Sequence, residues 1–348
     1  MRAVVVDAFG APPHVREVPD PTCPPHGVVV DVRATGVCRS DWHAWAGHDD
    51  DVRVPYVPGH ELAGVVTQVG PDVQGWRGGE RVTVPFVCAC GTCSACAAGE
   101  HQVCERQEQP GFTYDGSFAE RVAVPWADVN LVALPDAVSD DAAALLGCRF
   151  ATAYRAVRTH ARVGAGESLV VHGCGGVGLA AVMVGVAGGA RVVAVDPSPD
   201  ARAAAEALGA GAALDPAGMT PDGVASAVVD LTGGGARASI DAVGHPDVAR
   251  ASVLSLARRG RHVQAGLLLG DAAAAPMAMD RVIAWELELY GSHGMAAHDY
   301  PAMLAEIASG ALDPARLVGA VVGLDDAAGA LVAMGGEPEH AGVTIVRP

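Results

Sequence analysis

Residues 168–196 read S-L-V-V-H-G-C-G-G-V-G-L-A-A-V-M-V-G-V-A-G-G-A-R-V-V-A-V-D, and this stretch decides the fold. Ser168–His172 is a short apolar run of strand type, residues 173–178 form a glycine turn, and residues 179–187 continue as a helix. A G-x-G-x-x-G pattern alone is weak. Here a strand precedes it, a helix follows, and a second strand, Arg191–Val195, ends at Asp196, 18 residues past the last glycine. Gly173 permits the tight turn, Gly175 lets the backbone approach a pyrophosphate, and Gly178 lets helix and strand pack closely. Gly176 and Val177 complete the loop at a helix N-terminus that favours an anion. Asp196 would accept hydrogen bonds from an adenosine ribose and repel a 2′-phosphate, which favours NAD over NADP, although Arg202 nearby can soften the choice. The competing reading is a glycine-rich loop of some other α/β protein.

Working outward, strand-like residues 238–244 (A-S-I-D-A-V-G), a helix over 247–258 and a strand over 260–266 continue the alternation that builds a doubly wound parallel sheet. The first 140 or so residues differ. V-V-V-D-V-R-A (28–34), A-G-V-V-T-Q-V-G (63–70), E-R-V-T-V-P (80–85) and S-F-A-E-R-V-A-V-P (117–125) are short β runs between Gly and Pro, with no long helix, and predict a β-barrel-like domain. A last strand after residue 289, a helix over 301–309 and a terminal strand over 342–347 are expected to return to that first domain. The expected organisation is therefore residues 1–149 completed by 289–348, with 150–288 as the coenzyme domain.

Two runs in the first domain carry metal chemistry. G-V-C-R-S-D-W-H (36–43) and P-G-H-E-L-A-G (58–64) gather Cys38 and His60, ligand types that Zn²⁺ prefers, with Ser40 and His43 able to move a proton. Taken singly, Cys38 or His60 reads equally well as a buried structural residue. Downstream, Cys90, Cys93, Cys96 and Cys104 form C-x2-C-x2-C-x7-C, with Gly91 and Gly99 relaxing the backbone between them. Four thiolates fill a tetrahedral zinc, so this set stabilises a lobe and does no chemistry. Disulfides would require an oxidising compartment, and the N-terminal apolar run is broken by Asp7, which makes no secretory segment. An iron-sulfur cluster would want redox partners that nothing else in the chain supplies. A nucleic-acid-binding ribbon conflicts with charge: 23 Lys plus Arg against 40 Asp plus Glu give a formal −17, which repels phosphate backbones. With 348 residues, half of them hydrophobic, and no apolar run of membrane-spanning length, the chain reads as a soluble cytoplasmic protein with room for two domains.

These motifs together resemble the zinc-containing alcohol dehydrogenases of the medium-chain dehydrogenase/reductase superfamily, and the resemblance covers essentially the whole chain. It implies a GroES-like catalytic domain joined to a Rossmann coenzyme domain, with two zinc ions per chain and NAD. On the matching positions, Cys38, His60 and Cys148, the last in L-G-C-R-F-A-T-A-Y (146–154), resemble the ligands of the catalytic zinc. Glu61 resembles the carboxylate that can approach that metal, Asp41 the one that orients a ligand imidazole, Ser40 and His43 the proton relay, and Arg39 the residue that grips the coenzyme pyrophosphate. Phe86 sits where the family places a wall of the substrate pocket. The small-alcohol members carry a tryptophan shortly after H-A-W-x-G, whereas here His43 to Gly47 is followed by His48, Asp49, Asp50 and Asp51. That implies a wider pocket. The short stretch from Cys104 to Cys148 is similar to the tetrameric members more than the dimeric ones, implying a homo-oligomer, and Cys148 stands where polyol dehydrogenases use a glutamate.

The function so implied is reversible hydride transfer between a primary or secondary alcohol and NAD, on a small-molecule alcohol or aldehyde, without nucleic-acid or membrane partners. Two rivals stand beside it: a zinc-dependent aldehyde or glutathione-adduct dehydrogenase, and a non-catalytic zinc-binding member of the fold. Cys23, Cys88 and Cys174 fit neither metal set, and His245, His262, His293 and His340 have no partners at ligand spacing. Of these, His293, in G-S-H-G, is expected to approach the nicotinamide.

Overall fold

The computed structural model describes residues 1–336 and 340–348, which divide into two compact units: residues 1–151 with 294–348, and residues 152–293.

The second unit is built on six parallel strands in the order Ala212–Leu214, Arg191–Val195, Ser168–His172, Ala236–Asp241, Leu256–Gln264 and Glu288–Gly291. Chain order reverses on either side of Ser168–His172, so the glycine turn after that strand opens at the topological switch point, where such sheets bind ligands. Every residue of Ser168–His172 is buried, as a strand covered on both faces must be. Val170, Val193, Val195, Val228, Val253 and Leu256 form the core on one side. Its helices start with clear signals. Ser198 and Thr220 accept backbone N–H groups from Ala201 and Gly223, and Pro199 and Pro221 follow at positions whose N–H would be unpaired anyway. Helix Gly176–Ala187 is apolar all round and buried along Gly178 to Gly185, so packing rather than amphipathic pattern holds it.

Several boundaries differ from the sequence expectation. The helix read over 247–258 is Pro246–Leu254, and strand Leu256–Gln264 begins four residues early, because Leu256 pairs with Ala236 before the register shifts to Ala238 and Arg261. The strand read after residue 289 as part of the first domain is Glu288–Gly291, and it pairs in parallel with Arg261 to Gln264 as the sixth strand of this sheet. The unit therefore runs to His293 rather than 288.

In the first unit a seven-stranded sheet is ordered Val318–Gly323, Val343–Arg347, Val28–Gly36, Leu62–Val69, Arg81–Thr83, Val132–Ala133, with Arg121–Val124 on the other edge of Val28–Gly36. Its pairings are antiparallel except that between Val318–Gly323 and Val343–Arg347. Val28, Val30, Val32, Leu62, Val66, Val82, Val122 and Val124 form one core. A second, of Val4, Phe118, Leu324, Leu331 and Val346, is closed by helix Leu324–Ala333, which the sequence reading left unassigned. Among the described residues no helix is long and apolar enough to cross a membrane.

Candidate metal centre and coenzyme loop

Cys38 occupies the N-cap of helix Arg39–Trp45 in extended conformation. Asp41, three residues on, reaches back to accept the Cys38 N–H at 2.9 Å, so the carboxylate closes the first helical turn. Its other oxygen accepts from His60 Nδ1 at 2.7 Å and from the Gly59 N–H at 3.2 Å, and both side chains are fully buried. This fixes the proton on Nδ1 and leaves Nε2 as the free lone pair, with no hydrogen-bond partner among the described residues. Burial opposes a charge on His60, but Asp41 outweighs it and pushes the imidazole pKa up. Phe86 and Phe112 stand edge-on to the His60 ring, with centroids 6.2 and 5.4 Å away.

Cys148 lies in a π-helical turn, Leu146–Phe150, of the kind often found at functional sites. Cys38, His60, Glu61 and Cys148 each present a donor atom, all within 4.8 Å of one another. The two thiols face each other: a hydrogen bond from Cys148 brings Cys38 well below the usual thiol range, and that same contact with burial raises Cys148. Two close sulfurs and an orphaned imidazole nitrogen in a dry site suit a cation of zinc type, and by this test the residues fit the metal. Glu61 is gripped by Arg149, whose N–H and Nε donate to Oε1 at 2.9 and 3.0 Å while another guanidinium nitrogen donates to Oε2. Burial raises the Glu61 pKa and Arg149 pulls it back. A fourth bond, to the Val37 carbonyl at 2.8 Å, completes the clamp. Gly36 makes room for it, since a Cβ there would sit 2.5 Å from Glu61 Oε2 and 2.7 Å from the guanidinium. Arg149 and Phe112 were not singled out in the sequence. Arg149 was adjacent to a proposed ligand, which was its only signal.

Ser40 and His43 stand three residues apart on helix Arg39–Trp45, on one face of it. Burial, then the neighbouring His48 and Arg39, lowers the His43 pKa, so the ring is neutral near pH 7. Arg39 is exposed and lies over the Trp42 ring at 5.6 Å.

The four downstream cysteines converge. Sulfur pairs Cys93–Cys96, Cys90–Cys104 and Cys93–Cys104 are 3.4, 3.5 and 3.7 Å apart, far beyond a disulfide bond, and all four are buried. The Thr92 N–H and Arg106 guanidinium donate to Cys90 Sγ, and such bonds, the Thr92 one first, bring its pKa down to about 5, while burial pushes Cys96 up to about 12. Four sulfurs this close form a donor set suited to a tetrahedral cation of zinc type. Cys88 is outside the cluster, its thiol against the Tyr114 hydroxyl at 3.3 Å and pushed by burial to about 12.

In the second unit, Gly178 is required by packing, as a Cβ there would fall 1.7 Å from the Gly173 carbonyl oxygen, and Gly173 has φ +86°. Gly175 has neither constraint: its φ is −77° and a Cβ would meet nothing within 4 Å. The open space before the N-terminus of helix Gly176–Ala187, where Gly176 and Val177 form the first turn, is one that a bound pyrophosphate would use. Asp196 accepts the Cys174 N–H at 2.7 Å and the Ser198 N–H at 2.8 Å, which aims its carboxylate along the loop. Arg202 is committed elsewhere, to the carbonyls of Asp196 and Pro197 at 2.7 and 2.9 Å and to Asp215 at 3.1 Å. His262 is buried, with its ring nitrogens in hydrogen-bond contact with Ser252 and Gln264.

Two family descriptions match the chain, "alcohol dehydrogenase GroES-like domain" over residues 24–136 and "zinc-binding dehydrogenase" over 176–309. An alcohol dehydrogenase of Geobacillus stearothermophilus is 38% identical over 223 residues, 62% of this chain and 64% of that relative, so the match spans under two thirds of its length. A second alcohol dehydrogenase of the same organism is 33% identical over 275 residues, 78% of each chain. The crystal structure of an NAD-dependent alcohol dehydrogenase superposes with a TM-score of 0.89 at 31% identity, covering 100% of both chains. With strand order, glycine loop and cysteine clusters all accounted for in one architecture, the chain belongs to the zinc-type alcohol dehydrogenases of the medium-chain dehydrogenase/reductase superfamily.

Proposed function

We propose that the protein is a zinc-dependent, NAD-linked alcohol dehydrogenase that moves a hydride reversibly between a primary or secondary alcohol and the nicotinamide ring. The observation that carries this reading is the convergent set of buried Cys38 and His60 with half-buried Cys148, in which His60 offers an Nε2 without a hydrogen-bond partner among the described residues. Three such ligands are the donor set of a catalytic zinc that keeps a position for substrate, whereas the four-cysteine set is the donor set of a structural one. Zinc supplies Lewis acidity toward an alcohol or carbonyl oxygen, and NAD supplies the hydride acceptor.

The chain's own residues set the conditions. Asp41 holds the His60 ring at one tautomer and angle. Arg149 opposes the rise that burial imposes on the Glu61 pKa and fixes the direction of its carboxylate. Phe86 and Phe112 keep water from the His60 ring. Ser40, with a hydroxyl that both donates and accepts, hands the substrate proton on, and the neutral His43 imidazole receives it. At the coenzyme loop, the Asp196 carboxylate and the prior engagement of Arg202 support NAD over NADP, as does the NAD dependence of the structural relative. The test is metal analysis paired with NAD reduction over a panel of alcohols. Two zinc ions per chain and alcohol-dependent NADH formation are expected; zinc-replete protein inactive across the panel would refute the reading.

A further inference from the structure

His43 is not the end of its hydrogen-bonded path. Its Nδ1 lies 3.1 Å from Nδ1 of His48. Two imidazoles meeting through like nitrogens at that distance share one proton, since one Nδ1 must donate and the other accept. His43 is half-buried and His48 is exposed, so the pair runs from the site outward. The backbone holds it in place. The chain turns at Gly47, φ +79°, and the His48 N–H donates to the His43 carbonyl at 2.9 Å. Trp42 lies edge-on to both rings, with centroids 5.0 and 5.5 Å away.

We infer that His48 is the solvent end of a two-imidazole proton path, with His43 Nε2 as its inner end, an inference that rests on the proposed reading of the site. A proton accepted at His43 Nε2 breaks the His43 Nδ1–H bond as His48 Nδ1 takes that proton, and the His48 Nε2–H is released to water. One proton enters and one leaves, no electrons move, and exchange with solvent resets the tautomers. Carbonyl reduction runs the same hops backward. The charges acting on His43 are His48, Arg39 and the Cys38 thiol. Helix Leu324–Ala333, which packs on this helix, carries Asp325 and Asp326 in its first turn, and Asp325 is paired with Arg2. Asp49 is turned to its own loop, accepting the Asp51 N–H at 3.0 Å. His48 is thus the group next along the path with an exchangeable proton that faces solvent.

The test compares wild type with His48→Gln, which keeps a hydrogen-bonding side chain but cannot relay a proton, using zinc- and NAD-loaded protein. With ¹³Cε1-labelled histidine, the His43 curve should inflect twice, because the proton it shares with His48 couples it to a second exchangeable group. In His48→Gln the His43 curve should become single and move up in pH, because a cationic neighbour is gone. Alcohol oxidation by the variant should fall about three- to tenfold in dilute buffer and recover with added imidazole, the mark of a lost proton carrier. An unchanged His43 titration, or a variant rate indifferent to buffer and imidazole, overturns the path. Wild-type protein that shows coupled titrations but oxidises no alcohol overturns the reading of the site, and the relay with it, while leaving the shared proton demonstrated.

Discussion

Arg149 reaches Glu61 across 88 positions of sequence with two nitrogens on one carboxylate oxygen and a third on the other, and both side chains are buried. The pair also borders the donor triangle, since Arg149 follows Cys148 and Glu61 follows His60.

Removing one partner of such a pair leaves an uncompensated buried charge. Arg149→Met should lower stability by about 3–5 kcal/mol, and Glu61→Gln in that background should restore a good part of it. Urea midpoints of the two single variants and the double variant check this; additive losses would contradict the coupling.

Two metals of unequal lability are expected. A chelator should strip the Cys38, His60 and Cys148 site before the four-cysteine site, with activity falling in step and circular dichroism unchanged. Cys38→Ala should abolish turnover and leave NAD binding intact, and Cys96→Ala should chiefly destabilise its lobe. Fewer than two zinc ions in active protein would contradict this.

NAD should be preferred to NADP by at least about tenfold in kcat/KM, equivalent to ~1.4 kcal/mol. Asp196→Gly should narrow or reverse the ratio. Because Asp196 also holds the Cys174 and Ser198 N–H groups, the glycine variant should lose some NAD efficiency as well, and Asp196→Asn separates charge from loop support. A wild type preferring NADP would contradict the assignment.

Acid stability has a source outside the metal sites. Burial, helped by His262, pushes the His172 pKa down to about 3, and its Nε2 has no hydrogen-bond partner. The folded value lies below the unfolded one, so the full stability is present above about pH 6.5 and falls by ~1.4 kcal/mol per pH unit as pH drops below it. At saturating zinc, His172→Leu should show a shallower loss between pH 6.5 and 5 than wild type. Parallel curves would show that His172 contributes nothing.

Substrate length offers a further check, motivated by the polar run His48 to Asp51, which follows Gly47 where the family resemblance implies a tryptophan in small-alcohol members. Each methylene received by a pocket contributes about 0.8 kcal/mol, so kcat/KM should climb from ethanol through hexanol and benzyl alcohol. Asp49→Trp should then restore discrimination. A steady decline from ethanol would refute a wide pocket.

What the sequence made legible was whatever is written locally. The glycine loop with its flanking strands and the C-x2-C-x2-C-x7-C run carry their chemistry in spacing, and the cysteines do converge. Arg149 was illegible because its partner is distant in sequence and no spacing encodes that contact. The strand Glu288–Gly291 could not be given to the second unit from sequence, because it is short and its parallel pairing with Arg261 to Gln264 is encoded by no local spacing. Leu256 to Arg258 read as helical because leucine, alanine and arginine favour helices, and strand pairing with Ala236 overrode that preference. The His43–His48 contact hid behind a glycine turn whose direction only the backbone reveals.

Asp41 both closes the first turn of its helix and holds the His60 ring. Ligand alignment and helix formation are therefore one event, and His60 cannot swing outward without uncapping the segment that carries Cys38. An ion too large for the cage gains nothing from ligand relaxation, so the centre selects by stiffness as well as by the softness of its sulfurs.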